Sequence, residues 1–159
     1  MYTKINEKDS AMKLGAIYSK EKTTFTLFSP VADSVFVIFY DKGNDSAETG
    51  RLEMVRGEGE LRSIFSATAE GNLDGVYYTY EVHTSDGTFS SHDPYARACG
   101  VNGHRSMVID LSKTDPDGFA DEDRPKLADP MSMVITEVSV ADVSAGASAH
   151  SRYPGKFKA

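Results

Sequence analysis

Tryptophan is missing from this chain, and cysteine occurs once, at position 99. A single cysteine excludes an intrachain disulfide and any multi-cysteine metal site. Cys99 has no Cys-X-X-Cys partner and no local histidine signature, so it reads as a small turn or packing residue. Long apolar runs are missing too. No stretch of 18 apolar residues occurs, and the opening MYTKINEKDSAMKLG holds nothing of signal-peptide length. The expectation is a chain without a membrane span, cytoplasmic as written, or extracellular if a leader was removed. Positive charge is in short supply: 17 basic residues face 24 acidic ones, a net charge of −7, with no basic cluster to offset it. Such a surface repels phosphate backbones and anionic lipid, which excludes nucleic acid and membrane as partners and leaves neutral ligands such as sugars.

The familiar catalytic and cofactor signatures are also lacking, and no cofactor is expected. Gly57-Glu58-Gly59 is the nearest approach to a phosphate loop, yet it carries acid where phosphate would sit and no helix signal follows. The acidic run Asp115, Asp117, Asp121, Glu122, Asp123 fails the EF-hand pattern, with Ala120 where glycine is needed and Lys126 where a bidentate acid is needed. It reads as a solvated loop. His83, His92, His104 and His150 show no i, i+4 metal spacing. No Gly-X-Ser-X-Gly elbow anchors a serine nucleophile. Glycoside hydrolysis needs two carboxyls about 5–9 Å apart across a sugar, and no loop here pairs two acids with aromatics.

What is present is a period of two. TFTLF at 24–28 alternates, with Phe25 and Leu27 on one face, and Pro30 ends it. SVFVIFY at 34–40 is a continuous apolar run, either a strand covered on both sides or an inner strand with an apolar outer patch. RLEMVR at 51–56 alternates through Leu52 and Met54, and LRSIFSATA at 61–69 follows the turn GEGE. VYYTYEVH at 76–83 puts Val76, Tyr78, Tyr80 and Val82 on one face and Tyr77, Thr79, Glu81 and His83 on the other. SDGT at 85–88 reads as a tight hairpin turn into TFSSH, and RSMVIDL at 105–111 is a further strand. About seven short strands with regular turn signals predict an all-β, immunoglobulin-like antiparallel sandwich. Its span is 14–111, after an N-terminal segment 1–13 expected to be flexible. Residues 112–131 read as an irregular connector. Residues 132–159 contain one extra alternating segment, Met133 to Val143, and a small polar tail.

Sugar-binding modules stack rings on exposed aromatics. Tyr77 lies opposite the core-facing tyrosines of its strand, and with Tyr40 it would form such a platform. The competing reading has both packing against loops or a neighbouring domain.

The long stretch DPYARACGVNG at 93–103 is too large for a simple hairpin loop. Together with LGAIYSKEKTTFTLFSPVADSVFVIFYD, GVYYTYEV, SMVIDL and RPKLADP, it resembles the N-terminal part of bacterial type I pullulanases. These are starch-debranching enzymes of glycoside hydrolase family 13. The strands before the junction are similar to carbohydrate-binding module family 48, and the likeness covers roughly 14–144. It implies that Asp93, Pro94, Tyr95 and Asn102 lie at the seam where the sandwich meets a catalytic barrel. Asp93-Pro94 would set the turn, and Gly100, Asn102 and Gly103 would permit a tight reversal.

The family's barrel opens on a strand resembling Tyr-Glu-X-His-Val-Arg-Asp-Phe-Ser. Here Glu137, Val140, Asp142 and Ser144 fit, whereas Thr136, Ser139, Ala141 and Val143 depart toward smaller or uncharged side chains. The catalytic carboxylates of the family have no counterpart in these residues. The expectation is a non-catalytic accessory domain, truncated at the start of the barrel, with the barrel of a parent enzyme and α-glucan as partners. Two alternatives stand beside it: a stand-alone α-glucan-binding module, and an interaction domain that pairs through an exposed edge, forming a homodimer by its terminal strand.

Overall fold

The computed structural model describes residues 13–123 and 128–157. The chain divides into two compact units, Met1–Pro116 and Asp117–Ala159. The first is built from strands β1 (Gly15–Tyr18), β2 (Lys22–Phe28), β3 (Ser34–Tyr40), β4 (Glu48–Glu53), β5 (Val55–Arg56), β6 (Ile64–Glu70), β7 (Tyr77–Thr84), β8 (Gly87–Ser91), β9 (Ala98–Cys99) and β10 (Ser106–Met107). They form two antiparallel sheets. One has the order β1-β2-β6-β5. The other runs β4-β3-β7-β10-β9, with β8 also paired to β7. This is the immunoglobulin-like sandwich that the alternation predicts.

The period of two fills the space between the sheets. Phe25 and Leu27 of β2, Val35 and Val37 of β3, Phe65 of β6, and Tyr78 and Tyr80 of β7 are all buried there, with Met54 and Val108. Aromatic edges interlock: the Phe25 ring stands 5.0 Å from Tyr78 and 5.7 Å from Phe39, both T-shaped, which suits the ring quadrupoles. The apolar run of β3 resolves in favour of a strand covered on both sides, with Ile38 buried on the outer face and Phe36 and Tyr40 half-buried beside it. Val35 and Val37 point inward, while Phe36, Ile38 and Tyr40 alternate onto the opposite face. Arg56 ties the two sheets together at one end. Its guanidinium donates to the carbonyls of Ala32 and Asp33, just before β3, and lies 4.7 Å from the Phe65 ring centroid.

One core position breaks the pattern. Thr23 is fully buried on the inner face of β2, and its Oγ1 finds no hydrogen-bond partner. A buried hydroxyl without a partner keeps its desolvation cost. Thr23→Val is therefore expected to raise stability by about 1 kcal/mol. A urea midpoint equal to or below that of the parent protein would contradict this.

The two halves of β7 have different neighbours on one side. β8 pairs with Tyr80–Thr84, and β10 pairs with Tyr77 and Tyr78. Residues 92–105 are the excursion between those two short strands, and DPYARACGVNG is most of it. The excursion turns back through Val101–Gly103, where Asn102 (φ +53°) and Gly103 (φ +71°) take the left-handed region, as the sequence implies. Gly100 is needed for a different reason. Its backbone is extended, but it touches Gly43 in the loop after β3: a Cβ on Gly100 would lie 2.5 Å from the Gly43 Cα and 2.7 Å from its carbonyl oxygen. Gly100→Ala forces backbone against backbone, so it is expected to cost about 2–3 kcal/mol. Gly50→Ala in β4, whose new methyl has nothing nearer than 3.9 Å, is expected to be neutral or slightly stabilising. Comparing both variants by urea denaturation tests the contact rather than glycine content.

The extra strand expected over Met133–Val143 is not formed in the second unit. Residues 133–139 make no ladder, and Val140–Ala145 is a short helix, α1. Ser139 caps it by accepting from the Asp142 amide at 3.3 Å, and Asp142 places negative charge in the first turn. Alternation alone does not make a strand without an edge to pair with, and local capping decides the outcome. Ser144 is buried, donates back to the Val140 carbonyl and accepts from the Gly155 amide at 2.7 Å. The connector 112–131 carries only isolated 3-10 turns among its described residues, at Leu111–Lys113, Phe119–Asp121 and Pro130–Ser132.

Candidate functional site

Tyr40 closes β3 and Tyr77 opens β7, and the two are direct cross-strand partners on the outer face of the larger sheet. The structure thus brings the two predicted platform residues together. It also shows what covers them. The Arg105 guanidinium lies 3.6 Å from the Tyr40 ring centroid, a close cation–π contact. The same guanidinium donates to the Lys42 carbonyl (2.7 Å), to the Ser46 hydroxyl (2.8 Å) and to the Ser46 carbonyl (2.9 Å). The Tyr40 hydroxyl lies 3.3 Å from Thr79 Oγ1. The Tyr77 ring lies close against Gly43, where a Cβ would sit 3.0 Å from its Cε1. Both tyrosines are half-buried. Arg105 and Gly43 are the residues that sequence reasoning missed, because both act across the sheet from distant loops.

Further along the same face the surface is polar. Arg51 makes a bidentate pair with Glu48 (2.8 and 2.9 Å) and reaches Glu81 at 3.3 Å. The hydrogen bond from Arg51 holds the Glu48 carboxyl below its usual range and keeps the guanidinium firmly protonated. His83 bridges Glu81 (3.0 Å) and Thr88 (3.1 Å), with its ring edge-on to Phe36.

The predicted seam residues separate into two kinds. Asp93 is buried inside the sandwich. Its Oδ2 accepts from the Tyr78 hydroxyl (2.7 Å) and the Tyr80 hydroxyl (3.2 Å), and its Oδ1 accepts from the Tyr95 amide (2.8 Å). Its own amide donates to the buried Ser106 hydroxyl at 2.8 Å. Burial, then the neighbouring Asp93 charge, pushes both tyrosine hydroxyls far above their ordinary range. Pro94, Tyr95 and Asn102 are exposed. Asp93 thus anchors the excursion from within while the residues after it face outward.

Two concavities flank this excursion. One, of about 310 Å³, lies between the loops and is lined by Asn44, Asp45, Val101, Asn102, His104 and Arg105. The other, of about 330 Å³, opens between β1 and the segment following β10, with Tyr95 at its side. Close to the second, Lys113 pairs with Asp74 at 2.6 Å, and Asp110 accepts from the Ser112 hydroxyl (2.6 Å) and amide (3.1 Å). These bonds, from Lys113 to Asp74 and from Ser112 to Asp110, hold both carboxyls below their ordinary range. Among the described residues, no group of three or more His, Cys, Asp or Glu is arranged to hold a metal ion. Cys99 is exposed and unbridged.

Residues 13–96 match the family Carbohydrate-binding module 48, described as the isoamylase N-terminal domain. Pullulanase A of Streptococcus pneumoniae serotype 4 is 31% identical over 116 residues, which is 69% of this chain and 9% of that protein. The chloroplastic pullulanase 1 of Arabidopsis thaliana is 28% identical over 142 residues, 83% of this chain and 14% of that protein. The chain therefore spans only a small part of the curated relatives it matches. Among solved structures, a pullulanase from Bacillus acidopullulyticus superposes with a TM-score of 0.78 at 34% identity, over 91% of this chain and 17% of the other. A pullulanase from Paenibacillus barengoltzii, in complex with maltohexaose and α-cyclodextrin, gives 0.79 at 34% identity, over 91% and 22%.

Proposed function

The chain belongs to the carbohydrate-binding module 48 family, and from that premise we propose that it is the N-terminal accessory domain of a pullulanase-type starch-debranching hydrolase. In this reading it contacts α-glucan and supports a catalytic barrel, and it does not itself cleave the glycosidic bond. The support is the reach of the likeness. Identity of 34% extends over 91% of the chain, well past the sandwich residues 13–96, yet accounts for only 17–22% of the related structures. The excursion supports the seam role as well: Asp93 fixes it from inside, and Pro94, Tyr95 and Asn102 are left pointing outward from a rigid base. The maltohexaose and α-cyclodextrin of the Paenibacillus barengoltzii complex name the ligand class to try first.

Native electrophoresis of the 159-residue chain in gels with and without pullulan or glycogen tests the glucan contact. Retardation in the polysaccharide gels is expected. Unchanged mobility in both would count against it. Reducing-sugar assays on the same pure material with pullulan are expected to stay at background, and measurable release would overturn the non-catalytic assignment.

A further inference from the structure

We propose that β8 is a self-association edge: two copies of this chain pair antiparallel through Gly87–Ser91 and join their larger sheets into one continuous sheet. The inference is independent of the α-glucan reading. Most edges of the sandwich are blunted in ways that oppose pairing. β4 carries Glu48, Arg51 and Glu53, and β5 and β9 are two residues each. β1 is four residues long, and the Tyr95 side chain packs on its first residue, Gly15. β8 is different. Its five residues, GTFSS, hold no charge and no proline, and all of them are exposed. Among the described residues, its only neighbour in the sheet is β7.

The backbone direction of β8 follows from that of β7. The His83 carbonyl accepts from the Asp33 amide, just before β3, so His83 turns its backbone groups toward β3 and away from β8. Backbone groups alternate sides along a strand. Tyr80, Val82 and Thr84 therefore turn theirs toward β8, where they meet Ser91, Phe89 and Gly87. The residues between, Thr88 and Ser90, direct their amides and carbonyls to the open side. A second copy related by a two-fold axis through Phe89 sets Thr88 opposite Ser90 and Ser90 opposite Thr88. Every outward amide and carbonyl of β8 then finds a partner.

The same axis matches the side chains. Phe89 lies opposite its own copy in a non-hydrogen-bonded pair, the closer of the two antiparallel kinds. It shares a face with Val82, which packs on the core, and it is 54% exposed. An aromatic pair there covers apolar surface that is open in the single chain. At each end, Asp86 of one copy faces His92 of the other, a carboxylate set against an imidazole N–H donor. No like charges oppose each other between positions 86 and 92. An unrelated strand would have to supply this complement by chance, whereas a second copy carries it by symmetry. None of these residues belongs to the seam set Asp93, Pro94, Tyr95 and Asn102.

Sedimentation velocity of the full chain from about 10 µM to about 1 mM tests the pairing. The contact is small, so a dimer with Kd on the order of 100 µM is expected. Ser90→Pro removes an amide that points outward and not into β7, so it should keep the fold and weaken the dimer at least about tenfold. Phe89→Lys sets like charges opposite each other and should weaken it by at least about tenfold too. Far-ultraviolet circular dichroism checks that each variant is folded, and where one is not, cysteine crosslinking decides. In a Cys99→Ser background, oxidation of Phe89→Cys by dissolved oxygen should give a covalent dimer, because the paired Cα atoms would stand about 4.5 Å apart. Thr88→Cys in the same background should stay largely uncrosslinked, since Thr88 faces Ser90 and not its own copy. A chain that remains monomeric to about 1 mM overturns the proposal. So does a dimer unaffected by both Ser90→Pro and Phe89→Lys, or equal crosslinking at positions 88 and 89.

Discussion

Replacing Asp93 by alanine is expected to destabilise the sandwich by about 3–5 kcal/mol, because three donors lose the one carboxylate that they share as acceptor. The carboxylate is the common acceptor for the Tyr78 hydroxyl, the Tyr80 hydroxyl and the Tyr95 amide. Both tyrosine rings are fully buried, so the hydroxyls have no water to turn to. Each orphaned buried donor costs about 1–3 kcal/mol, and the small methyl leaves a void beside them. Asp93→Asn is the graded companion. Its side-chain oxygen still accepts, but its NH₂ has donors as neighbours, so the expected cost is about half that of alanine. Urea denaturation of the three proteins, followed by far-ultraviolet circular dichroism, reads the order parent, Asn, Ala. An alanine variant within about 1 kcal/mol of the parent would mean that the hub is not the anchor of the 92–105 excursion.

The sandwich was largely legible because burial on one face of a strand leaves a mark at every second residue. Phe25 and Leu27, and Tyr78 and Tyr80, sit where their alternation puts them. Position 93 shows the limit of that reading. Asp-Pro is a local turn signal, and nothing local reveals that the carboxylate reaches two tyrosines 13 and 15 residues earlier. The candidate site divides in the same way. Alternation places Tyr77 on the outer face, and register then sets Tyr40 beside it. The occupation of Tyr40 by Arg105 depends on the approach of two loops through Gly43 and Gly100, a contact with no periodic trace. The segment after 132 marks the opposite error. Alternation and likeness to a barrel strand favoured extension there, but a capped turn at Ser139 needs no partner, and a strand does.

The same hub is expected to make the protein fail at high pH rather than drift. Tyrosine in an unfolded chain ionises near pH 10. In the folded protein burial keeps the hydroxyls of Tyr78 and Tyr80 protonated, and the Asp93 charge and its hydrogen bonds reinforce this. Below about pH 10 both states hold these protons, so the full stability is present. Above it the unfolded chain loses protons that the folded chain retains. Stability then falls by about 1.4 kcal/mol per pH unit for each tyrosine, or about 2.7 kcal/mol for the two together. Tyr18 and Lys113 shift in the same direction at the solvated surface and add to the trend only weakly. Urea midpoints from about pH 8 to about pH 12 should therefore be level and then drop steeply, with tyrosinate absorbance rising in step with unfolding for these two rings. Tyr80→Phe removes the weaker of the two hydrogen bonds and one of the two protons, so it should halve the slope above pH 10 at modest cost below it. A midpoint that stays flat to pH 12, or a Tyr80→Phe slope equal to the parent's, would show that the buried hydroxyls do not govern the alkaline limit.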